Sequence, residues 1–217
     1  VLVVGGGVLG TETAAELAIR TPEKEVTLVH GYDRLLERNP EKASNYARKF
    51  LRDEGVEIIL SELIREHPEK GVFVTGGERR IEADLCIWCG GIRKDPPQLE
   101  GFQGAVQTDQ KAIRVNEHFQ IEGNPRIFCG GDITDIPEEK TAQNAERHAA
   151  VIAENIRRML DGKKLASYSP RTGPLVISLG PWKGIATCGG HTLNGPIPGL
   201  MKWLIETYVT GHFRPCP

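Results

Sequence analysis

Short apolar runs and helical patterns alternate from the first residue of the chain. Val1 to Val4 predict a strand, Gly5 to Gly10 predict a glycine-rich turn, and Thr11 to Arg20, rich in Ala, Glu and Leu, predict a helix. Glu25 to His30 predicts a second strand. Strand, turn, helix and strand within about thirty residues match the size of a βαβ unit. The pattern therefore predicts an α/β fold with a Rossmann-like core.

The pattern behind the second strand predicts a further helix and an antiparallel excursion. The helix would be capped by Asn39, with Pro40 in its first position. A hairpin around Gly76-Gly77, laid on the parallel sheet, precedes a strand over Leu85 to Cys89. Residues 90–110, rich in Pro, Gly, Gln and charge, indicate a linker or a domain crossing.

The later part of the chain repeats the order of strand, glycine turn and helix. Arg126 to Cys129 predicts a short strand that ends in Gly130-Gly131-Asp132. Apolar residues then recur at helical spacing from Ala145 to Leu160. Residues 163–174 indicate a second linker, followed by two short strands and a helical pattern over Gly199 to Phe213.

The composition argues against three classes of protein, namely nucleic-acid-binding, membrane-spanning and disulfide-rich proteins, but it does not indicate a particular reaction. Among 217 residues, 39% are hydrophobic and the formal charge is −2, so the excess of Lys and Arg that nucleic acid requires is missing. No apolar run approaches the roughly 20 residues that span a bilayer. Five cysteines lie mostly in apolar runs, which favours free thiols over a disulfide framework, and no metal site is predicted.

The glycine-rich turn fits the pattern G-x-G-x-x-G in its required context, after a strand and before a helix. Gly5 would permit the tight turn, Gly7 would let a pyrophosphate approach the backbone, and Gly10 would let helix and strand pack closely. The helix N-terminus offers free N–H groups and the positive end of a dipole. The motif predicts a dinucleotide-binding site.

The residue that distinguishes the two nicotinamide dinucleotides is not obvious. An acid that binds the adenosine ribose is expected about 20 residues behind the motif, at the end of the second strand. His30 stands there instead. With Arg34 it would accept a 2′-phosphate, whereas Asp33 could turn toward a ribose hydroxyl, and His30 could equally be an ordinary strand-end residue. NADH or NADPH stays open at this point.

Two other patterns have ordinary explanations beside functional ones. Glu12 falls in the first turn of the predicted helix, where an acid balances the helix dipole. Cys86-Ile87-Trp88-Cys89 has the C-x-x-C spacing of a redox dithiol. In a strand, residues i and i+3 point to opposite faces, so we expect two separate thiols.

Four segments resemble a known family. Asn124 to Asp132 resembles the second flavin-binding motif of the two-dinucleotide-fold flavoproteins, the pyridine nucleotide-disulfide oxidoreductase superfamily. Val115 to Gly123 and Pro22 to Leu28 are similar to segments of the apoptosis-inducing-factor-like group, in particular the ferroptosis-suppressor-type NAD(P)H:quinone reductases. Thr141-Ala142-Gln143 resembles the Ala-Gln motif that type II NADH dehydrogenases place beside flavin and quinone. The resemblance covers nearly the whole chain.

The resemblance implies roles for particular residues. Asp132 would hold the flavin ribityl chain, Gly90 and Gly91 would close over the nicotinamide dinucleotide, and Glu12 would be the catalytic residue near the nicotinamide. With the candidates at the ribose end, the predicted cofactor-binding residues are Gly5, Gly6, Gly7, Gly10, His30, Arg34, Gly90, Gly91, Gly131, Asp132, Ala142 and Gln143.

The same resemblance divides the chain into three parts. Residues 1–91 would bind NADH or NADPH, residues 92–165 would be the returning part of an FAD-binding domain, and residues 166–217 would form a C-terminal segment facing an interface, a quinone or a membrane. The family's first G-x-G-x-x-G domain is missing, and the chain opens on a strand without Met. We therefore expect the second half of a longer protein.

The function implied is that of an FAD-dependent oxidoreductase passing electrons from NADH or NADPH to a quinone or another small acceptor. A reductase of a ferredoxin- or rubredoxin-type protein and a non-catalytic redox sensor or death-signalling protein are the alternatives. The apolar tail suits a quinone, a peripheral membrane contact or a homodimer interface. We expect an intracellular protein, cytoplasmic or membrane-associated, with the mitochondrion left open.

Overall fold

The computed structural model of the chain describes residues 1–91, 111–170 and 173–212. The chain forms two units, one of residues 1–91 and 173–217 and one of residues 92–172. The predicted linker at 90–110 falls almost entirely outside the described residues, as does Cys216. In chain order the elements are β1 (Leu2–Val4), α1 (Val8–Arg20), β2 (Thr27–Val29), α2 (Glu41–Asp53), β3 (Glu57–Ile59), β4 (Ile64–Glu69), β5 (Val72–Thr75), β6 (Arg80–Glu82), β7 (Cys86–Trp88), β8 (Gln120–Ile121), β9 (Asn124–Phe128), α3 (Ala142–Leu160), β10 (Leu175–Leu179), β11 (Lys183–Cys188), β12 (His191–Gly195) and α4 (Pro196–His212).

A four-stranded parallel sheet with the order β3-β2-β1-β7 forms the centre of the first unit. Val3 in β1 pairs with Leu28 in β2 on one side and with Ile87 in β7 on the other. All four strands therefore end at the same edge of the sheet, where open α/β sheets bind their ligands. The predicted α/β, Rossmann-like fold is confirmed.

Helix α1 begins at Val8, three residues before the predicted start at Thr11. Gly7 has extended backbone and caps the helix, and its carbonyl accepts the N–H of Thr11 at 3.0 Å. Glu12 is therefore the fifth helical residue, and its predicted place in the first turn is wrong. The glycine motif therefore extends into the helix, with Gly7 as its cap and Gly10 as its third residue.

Helix α2 begins at Glu41, with Pro40 in the capping position and no side-chain hydrogen bond. The predicted cap, Asn39, instead donates its backbone N–H to the carbonyl of Leu36 at 2.8 Å. The prediction was wrong by one residue because Asn39 belongs to the loop that precedes the helix.

The two faces of the parallel sheet bury different groups of side chains. Val3 packs with the helices α1 and α2, whereas Leu2 and Val4 pack on the opposite face against a three-stranded antiparallel sheet, β4-β5-β6. From that sheet, Phe73 and Ile81 are buried in the core that it shares with Leu2 and Val4. The predicted hairpin is confirmed as β5 and β6.

Strand β4 was not predicted. Its sequence Ile64-Arg65-Glu66-His67-Pro68-Glu69 has one apolar side chain at its start, and the residues after Ile64 are exposed. Without alternating apolar positions, a strand has no pattern in the sequence. The strand forms because it pairs with β5, and this pairing cannot be predicted from its own side chains.

The C-terminal residues return to the core of the first unit. Strands β10, β11 and β12 form an antiparallel sheet, and its Ile177, Leu179 and Ile185 are buried in one cluster with α1 and α2. Helix α4 lies on this sheet at very short range, since a Cβ on Gly199 would come within 2.7 Å of the carbonyl oxygen of Trp182. None of the helices in the described ranges is both long and apolar enough for a bilayer crossing.

The second unit contains the antiparallel pair β8-β9 and the long helix α3. Thr141 caps α3 by accepting the N–H of Asn144 at its hydroxyl. Glu154 and Arg158 form the ion pair that the i, i+4 spacing indicates, at 2.6 Å. Hydrogen bonds from Arg157 and Arg158 lower the pKa of Glu154 to about 2.

Replacing Ile185 with Ala should lower the free energy of unfolding by about 2–5 kcal/mol, because a fully buried side chain leaves a cavity. Leu193→Ala in the neighbouring strand is the control, since Leu193 is 47% exposed and its loss should cost under about 1 kcal/mol. Urea unfolding of both variants measures the difference. Equal, small losses would show that the C-terminal sheet is not part of this core.

Candidate functional site

The glycines of the first turn differ in what surrounds them. Gly5 has φ +107°, and a Cβ there would lie 2.7 Å from the backbone nitrogen of Gly90. A Cβ on Gly10 would lie 1.7 Å from the carbonyl oxygen of Gly5. A Cβ on Gly7 meets no described atom within 4 Å. Packing thus requires Gly5 and Gly10, whereas Gly7 faces the open space that a pyrophosphate needs.

The N-terminus of α1 lies directly beside this open space. Since the first intrahelical bond runs from Thr11 to Gly7, the N–H groups of Val8, Leu9 and Gly10 have no partner within the helix. Together with the helix dipole they favour an anion. The edge of the sheet therefore has the donors and the room for a phosphate group.

The peptide groups of Gly6 are used by the protein itself. Its N–H donates to Nδ1 of His30 at 2.9 Å, and its carbonyl accepts the N–H of Leu36 at 2.9 Å. A Cβ on Gly6 would lie 2.5 Å from Cδ2 of Leu35. Gly6 thus fastens the turn to the segment behind β2.

His30 lies buried beneath the turn, with both ring nitrogens engaged. Nδ1 accepts from Gly6, and Nε2 lies 3.2 Å from Oε2 of Glu37. Because a backbone N–H can only donate, Nδ1 carries no proton and Nε2–H donates to the carboxylate. The ring supports the turn, and both of its nitrogens have partners within the protein.

The other two candidates at the ribose end lie in the loop behind β2. The guanidinium of Arg34 donates to the carbonyls of Asn39, at 2.9 Å, and of Glu37. Arg34 thus closes the loop on itself, while Asp33 is exposed. Glu37, whose carboxylate meets the ring of His30, was not among the residues predicted from the sequence, because only His30, Asp33 and Arg34 were considered near the end of the strand.

Glu12 connects α1 to the C-terminal sheet and to α4. Its Oε1 accepts the backbone N–H of Ser178 at 2.8 Å and lies 3.0 Å from Nζ of Lys202. Both partners are more than 160 residues away in the chain, with separations of 166 and 190. Sequence reasoning could therefore select Glu12 but could not identify what holds it.

The two glycines behind β7 follow the strand at the edge of the sheet where the first glycine turn lies. Gly90 lies against Gly5, and its carbonyl accepts the indole N–H of Trp88 at 2.8 Å. Gly91 has φ +71°, and a Cβ there would meet no described atom within 4 Å. Both glycines stand at the edge of the sheet at which β1 and β7 end.

A second glycine turn follows β9 in the second unit. A Cβ on Gly130 would lie 2.7 Å from Cδ1 of Ile152, so α3 packs closely on this turn. Gly131 has φ +81° and open space around its Cβ position. Asp132 is exposed, and its carboxylate accepts no hydrogen bond from any residue that the structure describes.

A histidine supports this turn in the same way as His30 supports the first. The N–H of Gly131 donates to Nδ1 of His148 at 2.9 Å, and Nε2 of His148 lies 2.5 Å from Oε1 of Glu138. Tyr168 donates its hydroxyl to Oε2 of Glu138 at 2.8 Å. The ring of Phe119 packs 4.6 Å from the ring of His148.

Ala142 and Gln143 are the first two residues of α3, and both are exposed. Their backbone N–H groups precede the first intrahelical bond, from Ala145 to Thr141 at 3.0 Å. The helix therefore presents unpaired donors at the predicted Ala-Gln motif. Each unit thus contains a glycine turn and a helix N-terminus with open donors.

The comparison with protein families agrees with this geometry. The model described as pyridine nucleotide-disulphide oxidoreductase matches residues 1–149. The chain belongs to the pyridine nucleotide-disulphide oxidoreductase family. The resemblance inferred from Asn124 to Asp132 is therefore confirmed.

The chain is similar in sequence to relatives from several organisms. The chain is 30% identical over 212 residues to ferroptosis suppressor protein 1 of Taeniopygia guttata, covering 93% of the chain and 57% of the relative. It is 31% identical over 249 residues to apoptosis-inducing factor homolog B of Dictyostelium discoideum, covering 100% and 64%. To the type II NADH:quinone oxidoreductase of Staphylococcus haemolyticus it is 29% identical over 227 residues, covering 95% and 56%.

A solved structure shows the fold of the family at low sequence identity. NDH2 from Plasmodium falciparum in complex with NADH matches with a TM-score of 0.81 at 15% identity, covering 98% of the chain and 62% of that protein. The chain therefore spans less than two thirds of the length of these relatives.

Cys86 and Cys89, which have the C-x-x-C spacing of a redox dithiol, lie on opposite faces of the parallel sheet. Cys86 packs with the β4-β5-β6 side of the parallel sheet, whereas Cys89 packs with the helix side. Burial, and secondarily the neighbouring Cys89, raise the pKa of the Cys86 thiol, which disfavours the reactive thiolate. The expectation of two separate thiols on opposite faces is confirmed.

Replacing Gly10 with Ala should destabilise the protein by about 3 kcal/mol, because the added methyl overlaps the carbonyl oxygen of Gly5. Gly7→Ala, whose methyl meets open space, should cost under about 1 kcal/mol and should weaken NADH binding. Urea unfolding and calorimetric titration measure the two effects. Equal destabilisation by both changes would contradict the open space above Gly7.

Proposed function

We propose that this chain is the second half of a flavoprotein that oxidises NADH or NADPH and passes the electrons through FAD to a quinone. In this proposal residues 1–91 bind the nicotinamide dinucleotide, residues 92–165 complete an FAD-binding domain, and residues 166–217 form a C-terminal segment. The observation that carries it is the pair of glycine turns, each with one side open and a helix N-terminus behind it.

The first turn fits a nicotinamide dinucleotide. The open side of Gly7 and the free N–H groups at the start of α1 would bind the pyrophosphate. Gly90 and Gly91 would close over the dinucleotide. Glu12 would stand near the nicotinamide end as the catalytic residue, with its carboxylate kept in place by Lys202 and Ser178.

The second turn fits the sugar-like chain of FAD. The exposed carboxylate of Asp132 would accept hydrogen bonds from ribityl hydroxyls, and Gly131 leaves the space for them. The donors of Ala142 and Gln143 at the start of α3 would face the same cofactor. Bound FAD would supply the redox chemistry that protein side chains lack, namely accepting a hydride and passing electrons on.

A quinone is the acceptor favoured by the names of relatives, among them a type II NADH:quinone oxidoreductase. Quinones dissolve in membranes, and helix α4 has large exposed apolar side chains that would suit a peripheral membrane contact. They include Leu200, Trp203, Leu204 and Tyr208. A homodimer interface would use the same surface. We propose an intracellular protein, cytoplasmic or membrane-associated.

The full-length protein should oxidise NADH or NADPH faster with a soluble quinone than with oxygen. Absorbance at the nicotinamide band follows the reaction, with ferricyanide and a ferredoxin as alternative acceptors. Reduction of the ferredoxin in preference to the quinone would favour a protein reductase. A negligible rate with all acceptors would refute the enzyme and favour a dinucleotide-binding sensor.

Asp132→Ala in the full-length protein should purify with little flavin. Loss of one hydrogen-bonding carboxylate costs about 1.5–3 kcal/mol, which lowers affinity by about one to two orders of magnitude. Glu146→Ala is the control, since Glu146 is an exposed acid of the same unit on α3. The ratio of flavin to protein absorbance measures occupancy. Full flavin content in Asp132→Ala would remove the site assignment.

A further inference from the structure

The loop between β2 and α2 is attached to the first glycine turn at two places. The backbone N–H of Leu36 donates to the carbonyl of Gly6 at 2.9 Å. The ring of His30 joins the N–H of Gly6, at 2.9 Å, to the carboxylate of Glu37, at 3.2 Å. Main chain and side chain together thus set where Glu37 stands relative to the turn.

The conformation of this loop is unusual and well supported. Leu36 has φ +52°, a region that non-glycine residues seldom adopt, and its side chain is fully buried. Arg34 donates to two carbonyls of the loop, those of Glu37 and Asn39. Such over-determined backbone is typical of functional positions. The loop thus delivers Glu37 to one place and holds it there.

Glu37 lies within hydrogen-bonding distance of His30, the residue that stands where this fold usually has an acid. A dinucleotide-binding βαβ unit puts a carboxylate on the adenosine ribose at the end of its second strand. Here that position belongs to His30, and both nitrogens of its ring are occupied. Glu37 lies on the far side of the ring, with 23% of its side chain exposed.

We propose that Glu37, positioned by His30, binds the adenosine ribose hydroxyls and gives this protein a preference for NADH over NADPH. The inference rests on the proposed function of the first glycine turn. Histidine and the acid together take the role that one strand-end acid has elsewhere in the fold.

The contacts of Glu37 leave it able to accept from a ribose. Oε2 accepts one hydrogen bond from His30, and Oε1 lies 3.8 Å from Nε of the exposed Arg38. An ionised carboxylate accepts about four hydrogen bonds, so capacity remains for two hydroxyls. The same charge repels the 2′-phosphate of NADPH, and it offsets the attraction of Arg38.

The donors of Arg34 do not favour a 2′-phosphate at this site. Two of its guanidinium nitrogens donate to loop carbonyls, so the side chain would have to leave the loop to reach a ligand. Arg38 is the basic side chain beside Glu37, 71% exposed and next to the carboxylate. Neutralising Glu37 would therefore remove the charge that repels the extra phosphate.

The test is a fluorescence titration of the full-length protein with NADH and with NADPH. The unaltered protein should bind NADH more tightly. Glu37→Gln should reduce the ratio of the two affinities by about ten-fold or more, with tighter NADPH binding contributing to the change. Glu37→Asp, which retains the charge, should keep the preference. Glu41→Gln removes an exposed acid from the start of α2 and should leave the ratio unchanged.

The positioning role of His30 has its own readout. His30→Ala should shift the ratio in the same direction as Glu37→Gln. In the double variant the second change should add little, because both act through one contact. Shifts that simply add would show that His30 supports the fold without directing Glu37.

Other outcomes separate this inference from the proposed function. Absence of binding by either dinucleotide would overturn the proposed function of the turn. Binding with a preference for NADPH in the unaltered protein would overturn the role of Glu37, whether or not Glu37→Gln folds. An unchanged ratio in a folded Glu37→Gln, shown by thermal unfolding, or a shift produced by Asp33→Asn instead, would also overturn it.

Discussion

The close approach of α1 to the ends of β1 and β7 is the constraint on which the first site depends. Gly10 lies so near the carbonyl of Gly5, and Gly5 so near the backbone of Gly90, that no other residue fits without a shift. This contact brings the positive end of a helix to the edge at which the parallel strands stop. A side chain at either position would move the helix away, and the open space above Gly7 would no longer lie beside its donors.

Most of the fold, and the family, could be predicted from local patterns. The βαβ unit, the hairpin of β5 and β6 and the helix α3 each have a signal within a few residues, and the structure confirms them. The elements missed were β4, which lacks alternating apolar residues, β8, which has only two residues, and β12, whose sequence His191-Thr192-Leu193-Asn194-Gly195 is largely polar. All three are stabilised by pairing with a neighbouring strand, which no local pattern reveals.

The candidate sites were predictable in part for the same reason. Glycines that permit a turn are visible in the sequence, so the sequence alone is enough to assign Gly5, Gly7 and Gly10 to the turn. The partners of Glu12 lie 166 and 190 residues away in the chain. Glu37 meets His30 at a separation of seven residues, but it does so through a loop in which Leu36 has φ +52°, a conformation that no local pattern in the sequence indicates. The roles of the individual residues as cofactor ligands stay predictions.

The bond from Gly6 to His30 also has a consequence for the order of folding. Gly6 and His30 are 24 residues apart, and they meet only after β2 has paired beside β1. Closing so long a segment costs conformational entropy that the turn alone does not recover. The first strand and its glycines would therefore stay without a defined shape in an isolated fragment. We therefore expect binding competence at this turn to be a property of the assembled sheet, gained only when β1 and β2 pair.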